Sequence, residues 1–315
     1  MKIIFMGTPE FAIPSLKILL ESPHDVVAVV SAPDKEKGRG KQISFTPVKE
    51  FAIKNNLEVL TPVELKDETF IRRLKELQPD LFVVVAFRIL PKEVYTIPLK
   101  GSFNLHGSLL PKFRGAAPIQ WAIIKGEKET GVTSFFLEDK VDTGNIILQE
   151  KLKIDDSDDF GSLHDKMMVL GAEVVARTVD MIAGGDINTS KQNDSLASPA
   201  PKIRKEICRI DWSKDASGIH NLVRGLSPNP CAYFTHEEKN YKVYKTELIK
   251  NKEFNMEYEF KENSPFSIVS LSPGKQGSQL IAKTGNGLLK ILELQPEGRK
   301  RMTTEEFLRG YTFLK

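Results

Sequence analysis

Leu81-Phe82-Val83-Val84-Val85-Ala86 is an unbroken apolar run. The run is too short for a helix, and its β-branched residues suit extended chain. It predicts a central strand covered on both faces, the kind found in parallel sheets flanked by helices. Upstream, residues 2–6 and 26–31 read as further buried strands. Residues 11–21 between them have helical spacing, with Thr8 and Pro9 as the cap and first-turn signal. Residues 67–77 repeat that spacing, and Pro79 stops it just before the central run. Downstream, residues 103–105 form a shorter strand candidate. Strand, helix and strand in that order predict an α/β fold with a mostly parallel sheet.

Further along, residues 118–125 read as a helix. Residues 132–137 and 146–154 then look like two strands with no helix between them, which predicts an antiparallel edge to the sheet. Leu163, Met167, Leu170, Val174, Thr178 and Met181 fall at helical spacing, and Gly184-Gly185 ends that helix. Residues 188–201 are polar, with Pro199 and Pro201 near the end, and read as a linker or long surface loop. Beyond them, residues 241–244, 267–271, 279–283 and 287–294 are short strand candidates separated by turn signals. They predict a second, smaller β-barrel domain. The expected division is a catalytic domain at 1–189, a linker at 190–207 and the small domain at 208–315.

The 315 residues are 40% hydrophobic and 28% charged, which is ordinary for a soluble globular chain. No apolar run approaches the roughly 20 residues needed to span a bilayer. The first residues read as a strand rather than a signal peptide, so a cytoplasmic protein without a membrane partner is expected. Cys208 and Cys231 sit in no metal-ligand spacing, and the five histidines form no cluster with cysteine, so no bound metal is expected. The net charge of +3 is unevenly placed. Residues 201–315 hold 20 Lys and Arg against 14 Asp and Glu, leaving 25 against 28 before them. A basic C-terminal third suits either an anionic partner or an ordinary lysine-rich surface.

The chemistry concentrates in Asn104-Leu105-His106-Gly107-Ser108-Leu109-Leu110-Pro111. In a strand, residues two apart share a face, so Asn104 and His106 should project together at the carboxyl end of theirs. Ligand clefts of α/β sheets lie there. An amide beside an imidazole suits attack on a carbonyl carbon. Asn104 can donate to the developing oxyanion without titrating, and His106 can donate and move protons near neutral pH. A carboxylate close by would hold the ring and favour its charged form. Asp142-Thr143-Gly144 is the candidate source, although the tripeptide alone describes only a turn. No serine nucleophile elbow or reactive cysteine lies nearby, which disfavours acyl-enzyme chemistry. Gly7-Thr8-Pro9 reads as a tight turn rather than a dinucleotide site, since Pro9 removes an N–H that a pyrophosphate would use.

Asn104-x-His106-Gly107-Ser108-Leu109-Leu110-Pro111, then Arg114-Gly115-Ala116-Ala117-Pro118 and Asp142-Thr143-Gly144, resembles the 10-formyltetrahydrofolate-dependent formyltransferases. The likeness begins at Gly7-Thr8-Pro9-Glu10-Phe11-Ala12. It takes in Lys205-Glu206, Ile210-Asp211-Trp212 and Leu294-Gln295-Pro296-x-Gly298. The resemblance implies a Rossmann-like catalytic domain and an OB-like C-terminal barrel. It implies that Asn104, His106 and Asp142 are the catalytic trio. It also implies that Ser108, Leu109, Leu110 and Pro111 line the site of 10-formyltetrahydrofolate, a co-substrate. One departure is the run Ala86-Phe87-Arg88-Ile89-Leu90-Pro91. It is one residue shorter than the family pattern and lacks its glycine, so Arg88 has no assigned role.

Family members differ in the amine they formylate. Pro33-Asp34-Lys35-Glu36-Lys37-Gly38-Arg39-Gly40-Lys41 matches the inserted loop of members whose acceptor is a charged tRNA. Lys35, Lys37, Arg39 and Lys41 can pair with phosphates or bases of an acceptor stem, with glycines either side of Arg39 for mobility. OB barrels also bind single strands. The resemblance therefore implies formylation of the methionine amine on initiator methionyl-tRNA by a monomer. The alternatives are formylation of an amino sugar nucleotide or another small amine, and hydrolysis of the formylfolate.

Overall fold

The computed structural model describes residues 1–37, 42–185, 187–249, 268–270 and 279–310. The chain divides into two compact units. The first comprises residues 1–118, 129–153 and 164–201, and the second comprises 119–128, 154–163 and 202–315. Two short segments inside the span 1–189 thus group with the second unit. Of the expected linker at 190–207, residues 190–201 group with the first unit and 202–207 with the second.

The first part of the chain runs β1 (Lys2–Gly7), α1 (Ile13–Leu20), β2 (Asp25–Val30), β3 (Lys35–Lys37), β4 (Gln42–Ser44), α2 (Pro47–Lys54) and β5 (Val59–Leu60). Then come α3 (Glu68–Glu76), β6 (Leu81–Val85), α4 (Lys92–Tyr95), β7 (Ser102–His106), α5 (Pro118–Ile124), β8 (Glu129–Phe136), β9 (Ile146–Lys153) and α6 (Phe160–Gly184). Seven strands form one sheet in the order β5-β2-β1-β6-β7-β8-β9. The first five are parallel, while β8 and β9 form the antiparallel edge that the sequence predicts. The chain builds outward from β1 to β2 and β5, then returns to β6 and β7 on the other side. That reversal of direction makes the fold Rossmann-like and opens a crevice at the carboxyl ends of the strands.

Burial follows the apolar runs. Every residue of β6 is buried, as expected for a strand covered on both faces. On one face Ile4, Met6, Phe82 and Val84 pack against Phe70 and Leu74 of α3 and Val94 of α4. On the other, Thr178 of α6 exchanges a 2.7 Å hydrogen bond with Ser134 of β8, burying both hydroxyls without loss. The helix starts are capped from the sequence. Thr46 accepts from Lys49 N–H at 3.2 Å ahead of α2, and Asp67 accepts from Phe70 N–H at 2.9 Å ahead of α3. Helix α2 and strand β5 escape periodicity because each is short and half-exposed.

In the second unit the sheet is antiparallel throughout. It consists of β10 (Ala232–His236), β11 (Lys239–Leu248), β12 (Ile268–Ser270), β13 (Leu280–Lys283), β14 (Leu288–Pro296) and β15 (Met302–Thr303). The order is β10-β11-β14-β13-β12, with β15 beside β14. Register shifts along β11 bend the long β11–β14 pair into the small OB-like sheet. Ile219, Val223 and Leu226 of α7 (Ala216–Leu226) share a core with Phe234, Val243, Leu289, Ile291 and Leu294 of the sheet. Phe307 of α8 (Thr304–Gly310) joins the same core. Cys208 and Cys231 are free, buried thiols, and burial pushes Cys231 up to about 12, so both act as small apolar side chains.

One core group gives this unit a pH dependence. His220 of α7 meets Thr246 Oγ1 at 2.9 Å. Burial, with Arg224 nearby, lowers its imidazole from 6.5 to about 4. The folded state therefore keeps His220 neutral where the unfolded chain would protonate it. Its contribution is complete above pH 6.5 and is lost as the pH falls towards 4. The full shift corresponds to about 3 kcal/mol. His220→Gln should flatten the acid-side fall of unfolding free energy by up to that amount, read by urea titrations at pH 7 and pH 4.5. Identical pH dependence in the two proteins would show that His220 does not govern it.

Candidate active site

Asn104 and His106 lie on the same face of β7, as strand alternation requires, opposite Phe135 and Thr133 of β8. Asn104 is half-buried and His106 is buried. The chain beyond β7 turns back over this face. His106 Nε2 donates to the carbonyl of Phe113 at 2.8 Å. A carbonyl can only accept, so Nε2 carries the hydrogen and Nδ1 is left as the nitrogen that gains or gives up a proton. Nδ1 faces Asp142 Oδ2 at 3.8 Å. Asp142 Oδ2 in turn accepts from Gly115 N–H at 2.8 Å, which fixes the carboxylate without neutralising it.

Asp142 stands in the left-handed region, with φ of 56°, where a non-glycine residue is strained. Two features hold it there. Gly144 lies so close to the strand before it that a Cβ would come within 1.7 Å of Phe136 O. Gln192 Nε2 donates to the carbonyls of both Asp142 and Gly144, at 2.9 Å each. Gln192 Oε1 accepts from Arg114 Nε at 3.1 Å and Nη2 at 2.7 Å, and Arg114 also reaches Asp194 at 2.7 Å. Residues 190–200 act as a strap. Ser190 pairs with Ile146, while Ser198 O and Ala200 N–H bond the main chain of Arg114 at 2.8 and 2.7 Å. Polar composition marks this stretch as a loop and conceals that its polar groups are engaged inside the first unit.

Ser108 and Leu110 are buried. Ser108 Oγ donates to Lys112 O at 2.6 Å, and Ser108 O accepts from Thr133 Oγ1 at 2.6 Å. Thr133 also receives Leu110 N–H at 3.1 Å, and Gln149 Nε2 donates to Leu110 O at 2.9 Å. These two residues therefore shape the loop from within, whereas Leu109 and Pro111 keep surface. Thr133, Gln149 and Gln192 carry no local sequence signal, because each acts through contacts distant along the chain. Arg88 has a definite place. It donates to the carbonyls of Pro62 at 2.6 Å and Val63 at 2.9 Å, tying the shortened loop after β6 to the segment after β5. Lys35 and Lys37 belong to β3, paired with β4. Arg39 and Lys41 lie outside the described residues. Among the described residues no helix is long and apolar enough to cross a membrane, and no group of three His, Cys, Asp or Glu could hold a metal ion.

An amide and a histidine thus share one strand face, with a carboxylate 3.8 Å from the ring. Residues 1–179 match the formyl transferase family and residues 202–312 match the formyl transferase C-terminal domain; the chain belongs to this family. It is 45% identical to the methionyl-tRNA formyltransferase of Caldanaerobacter subterraneus subsp. tengcongensis, over 99% of this chain and 97% of that one. The methionyl-tRNA formyltransferase of Flavobacterium johnsoniae is also 45% identical, over the same shares. In fold the chain is similar to a sugar 3N-formyl transferase crystallised in the presence of dTDP and 5-N-formyl-THF, with TM-score 0.66 and 21% identity over 95% of this chain and 99% of that one. An N-formyltransferase from Helicobacter canadensis, in complex with folinic acid and dTDP-3-aminofucose, gives 0.63 and 22% over 92% and 98%.

Proposed function

We propose that this chain transfers the formyl group of 10-formyltetrahydrofolate to the methionine amine of initiator methionyl-tRNA. The observation that carries the reading is 45% identity to methionyl-tRNA formyltransferases across 99% of the chain. The site supplies means for the chemistry. The co-substrate brings an activated formyl carbon. Attack by the amine forms a new C–N bond and turns the carbonyl oxygen into an oxyanion, to which Asn104 donates at once and His106 donates after Nδ1 has gained a proton. His106 Nδ1 takes up a proton from the amine and returns it to the departing folate nitrogen as the old C–N bond breaks. Asp142, 3.8 Å away, balances the charge on the ring during that interval.

Exposed apolar residues following the strand beside Asn104 support a place for the flat folate ring. Asn104 neighbours Val84 in the sheet, and the chain leaving that strand exposes Ala86 and Ile89. Apolar surface of this kind, with Leu109 and Pro111, can cover an aromatic ring. None of the roles assigned requires a metal, and the proposal is of a monomeric cytoplasmic enzyme.

The test is to supply formylfolate and charged initiator tRNA, and to compare formylation of the tRNA with release of formate. Formate without formylated tRNA would overturn the reading in favour of a hydrolase. Formylation of an amino sugar nucleotide in preference to tRNA would overturn it in favour of a small acceptor. In the same assay Arg39→Ala should slow tRNA formylation by about 30- to 100-fold, the loss expected for a charged contact to the nucleic acid. KM for formylfolate should stay within about twofold. Equal effects on both substrates would remove the loop from tRNA positioning.

A further inference from the structure

Gln192 is buried at 6% exposure in a stretch otherwise rich in exposed polar residues. All of its hydrogen-bonding capacity faces two loops of the site. Its amide nitrogen serves the carbonyls of Asp142 and Gly144, and its oxygen takes the fork of Arg114. Those contacts complete a ring of bonded groups. His106 holds Phe113 O, Arg114 follows Phe113 in the chain and holds Gln192, and Gln192 holds the turn whose carboxylate faces His106. Among the described contacts, the bond from Gly115 N–H to Asp142 also links the same loops.

We infer that Gln192 is a positioning residue for formyl transfer, setting the separation of Asp142 from His106 by clamping the Asp142–Gly144 turn to the Arg114 loop. The inference rests on the proposed function for its kinetic consequences but not for its geometry. Asp142 is strained at a φ of 56°, and such a conformation persists only where its surroundings over-determine it. Without the two amide donors, the turn has one buried and one partly buried carbonyl lacking these partners and a strained residue free to relax. A shift of about 1 Å at a catalytic group is enough to cost on the order of 100-fold in rate.

Gln192→Met keeps the volume and removes every hydrogen bond. Gln192→Glu keeps acceptors for Arg114 but has no donor for the two carbonyls. Both should lower kcat for tRNA formylation by about 10- to 100-fold, with KM for formylfolate and tRNA within about twofold. Arg114→Met should also lower kcat, and the double variant Arg114→Met with Gln192→Met should be little worse than the poorer single, because one linkage is broken in each. In protein labelled with 15N histidine, the His106 ring signals should move in Gln192→Met without any substrate present. Kcat within twofold of the parent, a rise in KM alone, fully multiplicative losses or unmoved His106 signals would each overturn the inference. Should Gln192→Met not fold, the Gln192→Glu protein gives the same readings, and retention of parental His106 signals there overturns the inference equally. A parent protein that does not formylate tRNA would sink the proposed function. The ring signals would still decide the role of Gln192.

Discussion

Replacing His106 with alanine should reduce single-turnover formyl transfer by about three orders of magnitude while the protein stays folded. A lost oxyanion donor costs about 10²- to 10³-fold, and a lost proton carrier about 10²- to 10⁴-fold. The two losses do not multiply, because one imidazole nitrogen performs both tasks in succession within one transfer. The structural cost is smaller. The Phe113 carbonyl loses its 2.8 Å donor, worth about 1–2 kcal/mol at a buried site. The Asp142 carboxylate keeps Gly115 N–H, so it is not stranded. Quench-flow measurement with excess enzyme, alongside thermal unfolding, checks the result. A rate within tenfold of the parent would refute the role given to His106, since no other titratable side chain is placed against both Phe113 O and Asp142 by the described contacts.

Gly144→Ala should be damaging for a different reason. The new methyl would lie 1.7 Å from Phe136 O and 2.9 Å from Phe136 C, which are backbone atoms of β8 and cannot turn aside as a side chain would. The turn must move as a body. Overpacking of this type costs about 1–3 kcal/mol in stability. The larger effect should be on rate. Gly144 O is one of the two carbonyls held by Gln192, and Asp142 lies two residues earlier in the same turn. Displacing that turn by about 1 Å should slow transfer on the order of 100-fold. The pairing of β8 with β9 should survive, because the clash falls at the end of the ladder. Urea unfolding together with the transfer assay separates the two effects. A variant with normal rate and reduced stability would show that the catalytic position of Asp142 does not depend on this close approach.

These two residues also mark where sequence and tertiary structure divide the work. The valine-rich run at β6 specified a strand buried on both faces, and the neighbouring runs and helices then required a mostly parallel sheet. Period-two alternation places Asn104 and His106 on one face, since strand geometry is local. The second domain was legible as a β-sheet; α7 also carries helical spacing at Ile219, Val223 and Leu226 behind its Asp215 cap, whereas β10 is a short, partly exposed segment that periodicity misses. The basic loop at 35–41 was legible as charge, and Arg39 and Lys41 stay outside the described residues.

What lay beyond local pattern is the company His106 keeps. By itself Asp142-Thr143-Gly144 is a turn, and only the family resemblance linked it to the trio. The folded chain puts its carboxylate 3.8 Å from the ring. The stretch at 188–201, polar with two prolines near its end, read as a linker or long surface loop. Instead it brings Gln192 and the main chain of Ser198 and Ala200 against the loops of the site. Periodicity records which face of an element is apolar, because burial acts on every turn of a helix or pair of residues in a strand. A single buried amide satisfying two distant carbonyls leaves no period. The sequence alone therefore determined the sheet and the paired Asn104 and His106; long-range hydrogen bonding in the folded chain decided where Asp142 stands and what holds it there.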